Sequence, residues 1–368
     1  MDIIARNFFR LLRAGIFDEE EQIEPMSAWK WRRVYQYSLM HDLTAMTYCG
    51  IEKLKDQFFL QMPDDLLNTW KDTADKIAQE NKARNAAIPA LYALLSKQQL
   101  RPILTGGLQV AQLYRNPVFH IDQHISFFFP YQTQGNKADK WARDNCDITN
   151  DSERHELSYE WNGQSVEHKH RLHVLTNKLL NHTLQNIIEK EFRENEATYI
   201  TVGEARIEVP SHTLSLLLIM LSVAQYILSN GVSLKHIADM GIYLREAGDK
   251  VDFVKLQSWI DKLRMKRIAQ LSGLLLMELL HFTPDELPFM NPDEKQASQK
   301  VMNELFTLKS QKGSWYFQQG EDIFVHASNS SAMMWHVRQS ARNFRYYPSE
   351  SFTNFFASIA HSLSHIEE

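Results

Sequence analysis

The sequence has few cysteines and no basic excess, and each shortage excludes a class of protein. Its 368 residues include two cysteines, Cys49 and Cys146, too few for a disulfide framework or a cysteine-rich metal motif. Because such sparse cysteines are typical of a reducing compartment, we expect a cytoplasmic protein. The formal net charge is -5, whereas a general nucleic-acid binder usually carries a basic excess. We therefore expect no nucleic-acid partner.

Long apolar runs are also missing. The most apolar stretch, 214–228, is interrupted by Ser215 and Gln225, and a membrane-spanning helix needs about 20 apolar residues. Near the N-terminus, Arg6 and Arg10 interrupt the apolar core that a signal peptide requires. We expect neither a membrane partner nor a secretory leader. Apolar residues make up 44% of the chain, which is enough for two or three packed layers at this length.

The stretch 101–130 has the most informative pattern, RPILTGGLQVAQLYRNPVFHIDQHISFFFP. A short apolar run leads to Gly106 and Gly107, and a segment with helical spacing continues until Pro117 breaks it. The alternating run 118–129 then predicts a strand. Two glycines between a strand and a helix allow the backbone to approach a ligand closely, which suits phosphate. Beside that turn, alternate positions of the predicted strand place polar groups on one face, namely His120, Asp122, His124 and Ser126.

The same stretch resembles a large, poorly characterised family of nucleotidyltransferases of the polymerase-β-like superfamily. Its members read Leu-Lys-Gly, eight residues to a Tyr, a Pro, an Arg, and then Gly-Asp-Ile-Asp-Leu. The residues in register without a gap are Leu104, Gly106, Tyr114, Pro117 and Ile125. The resemblance implies an α+β fold, with a small mixed β-sheet of the nucleotidyltransferase type embedded between helical N- and C-terminal parts. The implied divisions are 1–100, 101–210 and 211–368.

The chain departs from the family at the positions that carry chemistry. The family's lysine falls on Thr105 and its arginine on His120, while its two metal-binding aspartates fall on His124 and Ser126. In active members, that pair of aspartates holds the divalent metals that bridge the nucleotide phosphates. An imidazole and a hydroxyl are poor ligands for magnesium, so the resemblance implies a site that has lost its original chemistry. The positions with an implied role in nucleotide binding are Thr105, Gly106, Gly107, His120 and Ser126.

A hairpin is predicted by Asn162-Gly163, which lies between two alternating runs and favours a type I′ turn. In the family, a hairpin at this place brings a third carboxylate in a short Val-Glu-x-His or Asp-x-His run. Either Glu167 keeps that carboxylate, or His168 replaces it and His170 matches the family histidine. Since neighbouring strand residues point to opposite faces, only one of Glu167 and His168 can line the site.

The histidines raise a different hypothesis. If the strand faces that carry His124, His168 and His170 meet, the site would suit zinc or nickel instead of magnesium. The alternative is that they are surface or edge-strand histidines in a chain that contains 15 of them.

The flanking sequence is predicted to be mostly helical. A long helix is expected over 64–97, with a polar and partly solvated middle at 79–84, and a short helix over 138–145. The further expectations are a helix over 175–194, a hairpin over 197–209 with a turn at 203–204, a helix that follows a Ser211 cap, helices over 251–281 and 292–308, and an edge strand or loop at 313–317.

Two later stretches also resemble the family. In 229–244, Gly231 is predicted to end one helix and Ser233 to cap the next, on which Lys235 and Asp239 lie four residues apart. Those two residues are either a weak ion pair or part of a helix that packs against the nucleotide-binding face. The stretch 342–350 resembles the segment with which many members finish, and its aromatic residues are expected to anchor the C-terminus.

Three functions are consistent with these patterns. The first is a degenerate relative that binds a nucleotide or a partner without magnesium-dependent turnover. The second is an active nucleotidyltransferase, in which Asp122 and Glu167 hold magnesium and a small molecule or a protein is the acceptor. It requires a shifted strand register, because Asp122 lies two positions before the family's first aspartate. The third is a histidine-liganded metal enzyme on the same scaffold.

Overall fold

A computed structural model describes residues 1–152, 156–229, 234–291, 347–351 and 353. The α-helices are α1 (Ile3–Phe17), α2 (Ala28–Met40), α3 (Thr44–Leu54), α4 (Asp64–Lys97), α5 (Gly107–Ala111), α6 (Gln132–Asn145), α7 (Lys178–Glu194), α8 (His212–Ser229), α9 (Leu234–Ala247), α10 (Phe253–Lys262) and α11 (Lys266–Leu280). The strands are β1 (Ile103–Thr105), β2 (Ile125–Phe128), β3 (Asp147–Ser152), β4 (Glu156–Trp161), β5 (Gln164–Lys169), β6 (Thr198–Val202) and β7 (Ala205–Val209). Short 3₁₀ helices form at Pro117–Phe119, Gly248–Lys250 and Pro284–Glu286. None of the described helices is sufficiently long and apolar to cross a lipid bilayer.

The chain forms two compact units. The first comprises Met1–Leu172, Glu189–Ser215 and Ala238–Lys250, and it contains both sheets. The second comprises His173–Ile188, Leu216–Ile237 and Val251–Glu368, and its described residues are mostly helical. The three-part division at residues 100 and 210 stays a prediction.

The central sheet of the first unit has the order β1-β2-β5-β4-β3. The β2–β5 pair is parallel and the other pairs are antiparallel, so the predicted α+β fold with a mixed sheet is confirmed. Strands β6 and β7 form a second, two-stranded sheet.

One face of the central sheet is the core of the first unit. Side chains from β1, β2, β4 and β5 pack there with α4 and α6, and the fully buried ones include Ile88, Leu91, Leu104, Phe127, Ala138, Leu157, Tyr159 and Val166. Successive strand residues point to opposite faces, so these apolar positions fix which residues lie on the other face.

Both predicted hairpins are confirmed. Asn162 and Gly163 have φ of 50° and 72°, the two positive values that a type I′ turn requires, and they join β4 to β5. Gly203 has φ of 61° in the turn between β6 and β7. The helix after Ser211 is also confirmed, because the Ser211 hydroxyl accepts a hydrogen bond from the Leu214 amide at 3.3 Å.

Other expectations need correction. The strand predicted over 118–129 is shorter, since Pro117 begins a 3₁₀ helix and β2 starts only at Ile125. Helix α6 begins at Gln132, six residues before the predicted start at 138. Strand β3 was not predicted, because its residues are polar and exposed and show no apolar alternation. Five predictions lie outside the described residues: Gly231 as a helix end, Ser233 as a cap, the helix over 292–308, the segment 313–317 and the aromatic residues of 342–346.

The C-terminal segment can be followed at residues 347–351. The Tyr347 hydroxyl donates to the Leu263 carbonyl at 2.8 Å. The Glu350 carboxylate accepts from the backbone amides of Thr176 and Asn177, each at 2.8 Å. Tyr347 is fully buried and thus anchors this segment within the second unit, as the sequence predicted.

Candidate functional site

The glycine turn follows β1 and has a backbone that other residues could not adopt easily. Gly106 has φ of 82° and ψ of -157°, a conformation open almost only to glycine. Gly107 begins α5 in contact with two side chains, because a Cβ there would lie 2.4 Å from Asp122 Oδ2 and 2.7 Å from His120 Cε1. The two glycines therefore serve different needs, a turn at position 106 and a close approach at position 107.

A row of polar side chains crosses the sheet beside this turn. Strand pairing aligns Thr105 with Ser126, Ser126 with Glu167, and Glu167 with Ser158. Directly paired residues point to the same face, so these four form one row, and each is less than a tenth exposed. Thr105 Oγ1 donates to the Ser126 carbonyl at 3.4 Å.

The structure places Glu167 on the same face of the sheet as Ser126, directly beside it. Ser126 Oγ donates a hydrogen bond to Glu167 Oε2 at 2.8 Å. Lys169 lies two residues further along β5 on the same face, and its Nζ is 3.5 Å from the same carboxylate oxygen. The carboxylate of Glu167 thus has one neutral and one cationic partner from the chain itself.

His168 faces the opposite side of β5 and lies in the core. Its Nδ1 is 3.1 Å from Asp139 Oδ1 and its Nε2 is 3.0 Å from the Tyr159 hydroxyl. Burial lowers the pKa of His168, so the ring is neutral, and it donates through Nδ1 to the carboxylate and accepts through Nε2 from the phenol. His170 Nε2 lies 2.8 Å from Asp139 Oδ2. Asp139 in α6 is therefore held between two histidines.

The three histidines of the zinc hypothesis are not brought together. His124 lies just before β2 with its Nδ1 2.9 Å from Ser165 Oγ, whereas His168 and His170 contact Asp139 on the core side. Within the described ranges, these three histidines, Asp122 and Glu167 are in no group of three ligand atoms lying within 4.8 Å of one another. The strand faces that this hypothesis requires to meet do not meet, because the face of β5 that carries His168 is the core face.

His120 belongs to a buried network that the sequence did not reveal as one unit. Its Nε2 is 2.8 Å from Asp239 Oδ1, and the Tyr114 hydroxyl donates to the same oxygen at 2.8 Å. Burial, reinforced by the negative charge of Asp239, raises the pKa of Tyr114 well above its usual range, so the phenol keeps its proton. Asp239 therefore links α9 to the segment after the glycine turn, whereas packing of this helix against a nucleotide-binding face stays a prediction.

Asp122 does not lie on a strand, contrary to the sequence prediction. It lies in the irregular segment between the 3₁₀ helix and β2, and its Oδ1 accepts from the Gln123 amide at 2.9 Å. Its other oxygen lies against Gly107. His120 likewise precedes β2, so these two side chains reach the glycine turn from an irregular backbone instead of a strand face.

Asn81 is a buried polar residue that the sequence analysis did not single out. The middle of α4 is partly solvated, as expected, with Gln79, Glu80 and Lys82 exposed, but Asn81 is 3% exposed. Its Nδ2 donates to the carbonyls of Val118 and His120 at 2.8 and 2.6 Å. The signal was available, because Asn81 lies seven residues before the buried Ile88 and hence on the same stripe of the helix.

Comparison with known proteins identifies the family of this chain. A family described as uncharacterised nucleotidyltransferase matches residues 27–281, more than half of the chain. The chain belongs to this family. No curated protein and no solved structure matches it. The match to the nucleotidyltransferase family spans the glycine turn, the central sheet, both hairpins and Asp239.

Proposed function

We propose that this member of the family binds a nucleotide without magnesium-dependent turnover. The observation that carries the proposal is the hydrogen bond from Ser126 Oγ to Glu167 Oε2 at 2.8 Å. By the family register, Ser126 stands where a metal-binding aspartate would lie, and Glu167 corresponds to the third carboxylate. A hydroxyl that donates its proton to the remaining carboxylate occupies one of that group's lone pairs, and it offers a metal no negative charge of its own.

The charge balance around Glu167 supports the same conclusion. Magnesium binds through hard oxygen ligands, usually carboxylates and phosphates. Lys169 Nζ lies 3.5 Å from Glu167 Oε2, so a cation of the chain already interacts with that carboxylate. A divalent ion that approached Glu167 would be repelled by this ammonium group and would find a serine and a histidine at the neighbouring metal positions.

The glycine turn supports retained nucleotide binding. Gly106 adopts a backbone conformation open almost only to glycine. The space beside it is open, because a Cβ added there would meet no atom within 4 Å. The family uses this turn close to its nucleotide, and the chain keeps it while it lacks the metal ligands. A ligand site that functions without metal is consistent with both features.

The proposal is tested by thermal denaturation with each nucleoside triphosphate, in magnesium and in EDTA. A ligand that binds only the folded state raises the melting temperature by mass action. We expect one nucleotide to raise it equally under both conditions, with no release of pyrophosphate. Nucleotide turnover that requires magnesium would contradict the proposal, and so would the failure of every nucleotide to bind.

Restoring the acids tests the family register itself. The double variant His124→Asp with Ser126→Asp should gain magnesium affinity at least tenfold, because two carboxylates would then flank Glu167. A control, His182→Asp with Ser96→Asp, makes the same exchanges at two exposed helix positions. A folded double variant that gains no more affinity than this control would show that positions 124 and 126 are not the metal positions.

A further inference from the structure

Arg84 in α4 has a hydrogen-bonding edge without a partner. Its Nη1 donates to Asn81 Oδ1. Its Nε is buried and has no hydrogen-bond partner, although the side chain as a whole is half-buried. In a guanidinium group, Nε and Nη2 form one edge with two parallel N–H bonds. Among the described residues, that edge of Arg84 makes no hydrogen bond or ion pair.

The Nε–Nη2 edge of Arg84 lies close to the segment that contacts the glycine turn. Asn81, Arg84 and Asn85 are spaced by three and four residues and therefore share one face of α4. Asn81 connects Arg84 to the carbonyls of Val118 and His120, in the segment whose side chains touch Gly107. The guanidinium is consequently held next to the segment that supports the glycine turn.

Two more buried polar atoms in this region have no partner, Asn85 Oδ1 and His120 Nδ1. Buried donors and acceptors are rarely left unpaired, because each then loses its hydrogen bonds to water without replacement. His120 is 2% exposed and its Nε2 is fixed on Asp239, so Nδ1 has no rotational freedom to find a partner elsewhere. Unpaired atoms grouped in one region indicate a missing partner.

We propose that the Nε–Nη2 edge of Arg84 binds a phosphate of the nucleotide bidentately and without a metal. This inference rests on the proposed function and adds the residue that holds the ligand's charge. The paired N–H bonds of a guanidinium match two oxygens of a phosphate in distance and direction. Arg84 would supply a cation to a site whose family lysine and arginine positions are occupied by Thr105 and His120.

Two substitutions on the same helix separate this role from simple charge. Arg84→Lys keeps the positive charge but loses the two-donor edge. Lys82→Met is the matched control, because Lys82 is an exposed cation two residues away. Calorimetric titration in EDTA would measure the affinity of the nucleotide found by thermal denaturation, of tripolyphosphate and of the free nucleoside.

We expect Arg84→Lys to weaken nucleotide and tripolyphosphate binding at least tenfold, and Lys82→Met to change either by less than twofold. The nucleoside alone should bind weakly to all three proteins. Circular dichroism and the melting temperature verify that Arg84→Lys stays folded. Equal nucleotide affinity in wild type and Arg84→Lys would overturn the inference and leave the proposed function intact.

A direct observation of the guanidinium does not depend on any variant. In protein labelled with nitrogen-15, the Nε signal of Arg84, assigned by its loss in Arg84→Lys, should shift on addition of tripolyphosphate. If neither tripolyphosphate nor a nucleotide moves that signal, the edge is satisfied by ordered water and the inference is wrong. If tripolyphosphate moves it while no nucleotide binds, the phosphate-binding edge is supported and the proposed nucleotide function fails.

Discussion

Gly107→Ala tests the close approach at the glycine turn. The added Cβ would lie 2.4 Å from Asp122 Oδ2 and 2.7 Å from His120 Cε1. His120 cannot retreat at little cost, because its ring is buried and its Nε2 is bonded to Asp239. Overpacking of this kind usually costs about 1–3 kcal/mol. We expect Gly107→Ala to reduce the free energy of unfolding by about 2 kcal/mol, near the middle of that range.

A loss of stability would distinguish Gly107→Ala from the usual result of a glycine-to-alanine replacement. Gly107 has no positive φ, so alanine is compatible with the backbone, and replacing such a glycine usually stabilises a protein by about 0.4–1 kcal/mol. Gly135 in α6 is the control, since a Cβ there would meet its nearest neighbour, Phe129 Cβ, only at 3.9 Å. Gly135→Ala should therefore raise stability by about 0.5–1 kcal/mol.

Equilibrium unfolding in urea, followed by tryptophan fluorescence, measures both variants. A third variant, Gly107→Ala with Asp122→Ala, removes the shortest contact and should recover part of the lost stability, which appears as a coupling energy in a double-mutant cycle. If Gly107→Ala is as stable as wild type, or if the loss is unchanged without the Asp122 carboxylate, the packing described around this turn is refuted.

Two further predictions concern buried hydrogen bonds. Asn81→Ala leaves the carbonyls of Val118 and His120 without their donor, and should destabilise the protein by about 1–3 kcal/mol in urea unfolding; a loss as small as that of an exposed Asn→Ala exchange would contradict it. His168→Asn should flatten the dependence of melting temperature on pH. Burial lowers the pKa of His168, so between about pH 7 and 5 the unfolded chain binds a proton more readily than the folded chain, and wild-type stability falls as pH decreases. Equal slopes for wild type and His168→Asn, with Asp139 and His170 present in both, would refute this.

The sequence predicted the elements whose signals are local. Turn residues fixed both hairpins, because Asn162-Gly163 and Gly203 meet backbone requirements within a few residues. The glycine turn and the helix after Ser211 were predicted for the same reason. The long helix α4 was also foreseen, since its apolar spacing extends over many turns.

The site was harder to predict because its contacts join distant parts of the chain. The alternation of polar residues predicted that Asp122 shares a strand face with His124. Instead, the carbonyls of Val118 and His120 accept hydrogen bonds from Asn81 in α4, and this part of the chain does not pair as a strand. Periodicity alone could not tell which face of β5 was buried, so Glu167 and His168 stayed alternatives. Parallel pairing with β2 puts Glu167 beside Ser126 and His168 on the core face. No local signal in the sequence marks this pairing between residues 41 positions apart.

One face of the central sheet packs the core and the other carries the polar row. This separation has a consequence for how the sequence of such a protein evolves. The strand register is held by apolar residues such as Phe127, Leu157 and Val166 on the core face. Positions 124 and 126 are not part of that core, so the side chains there can be exchanged without a shift of register. The scaffold can therefore persist while the chemistry of this face changes, because a fold does not determine a function.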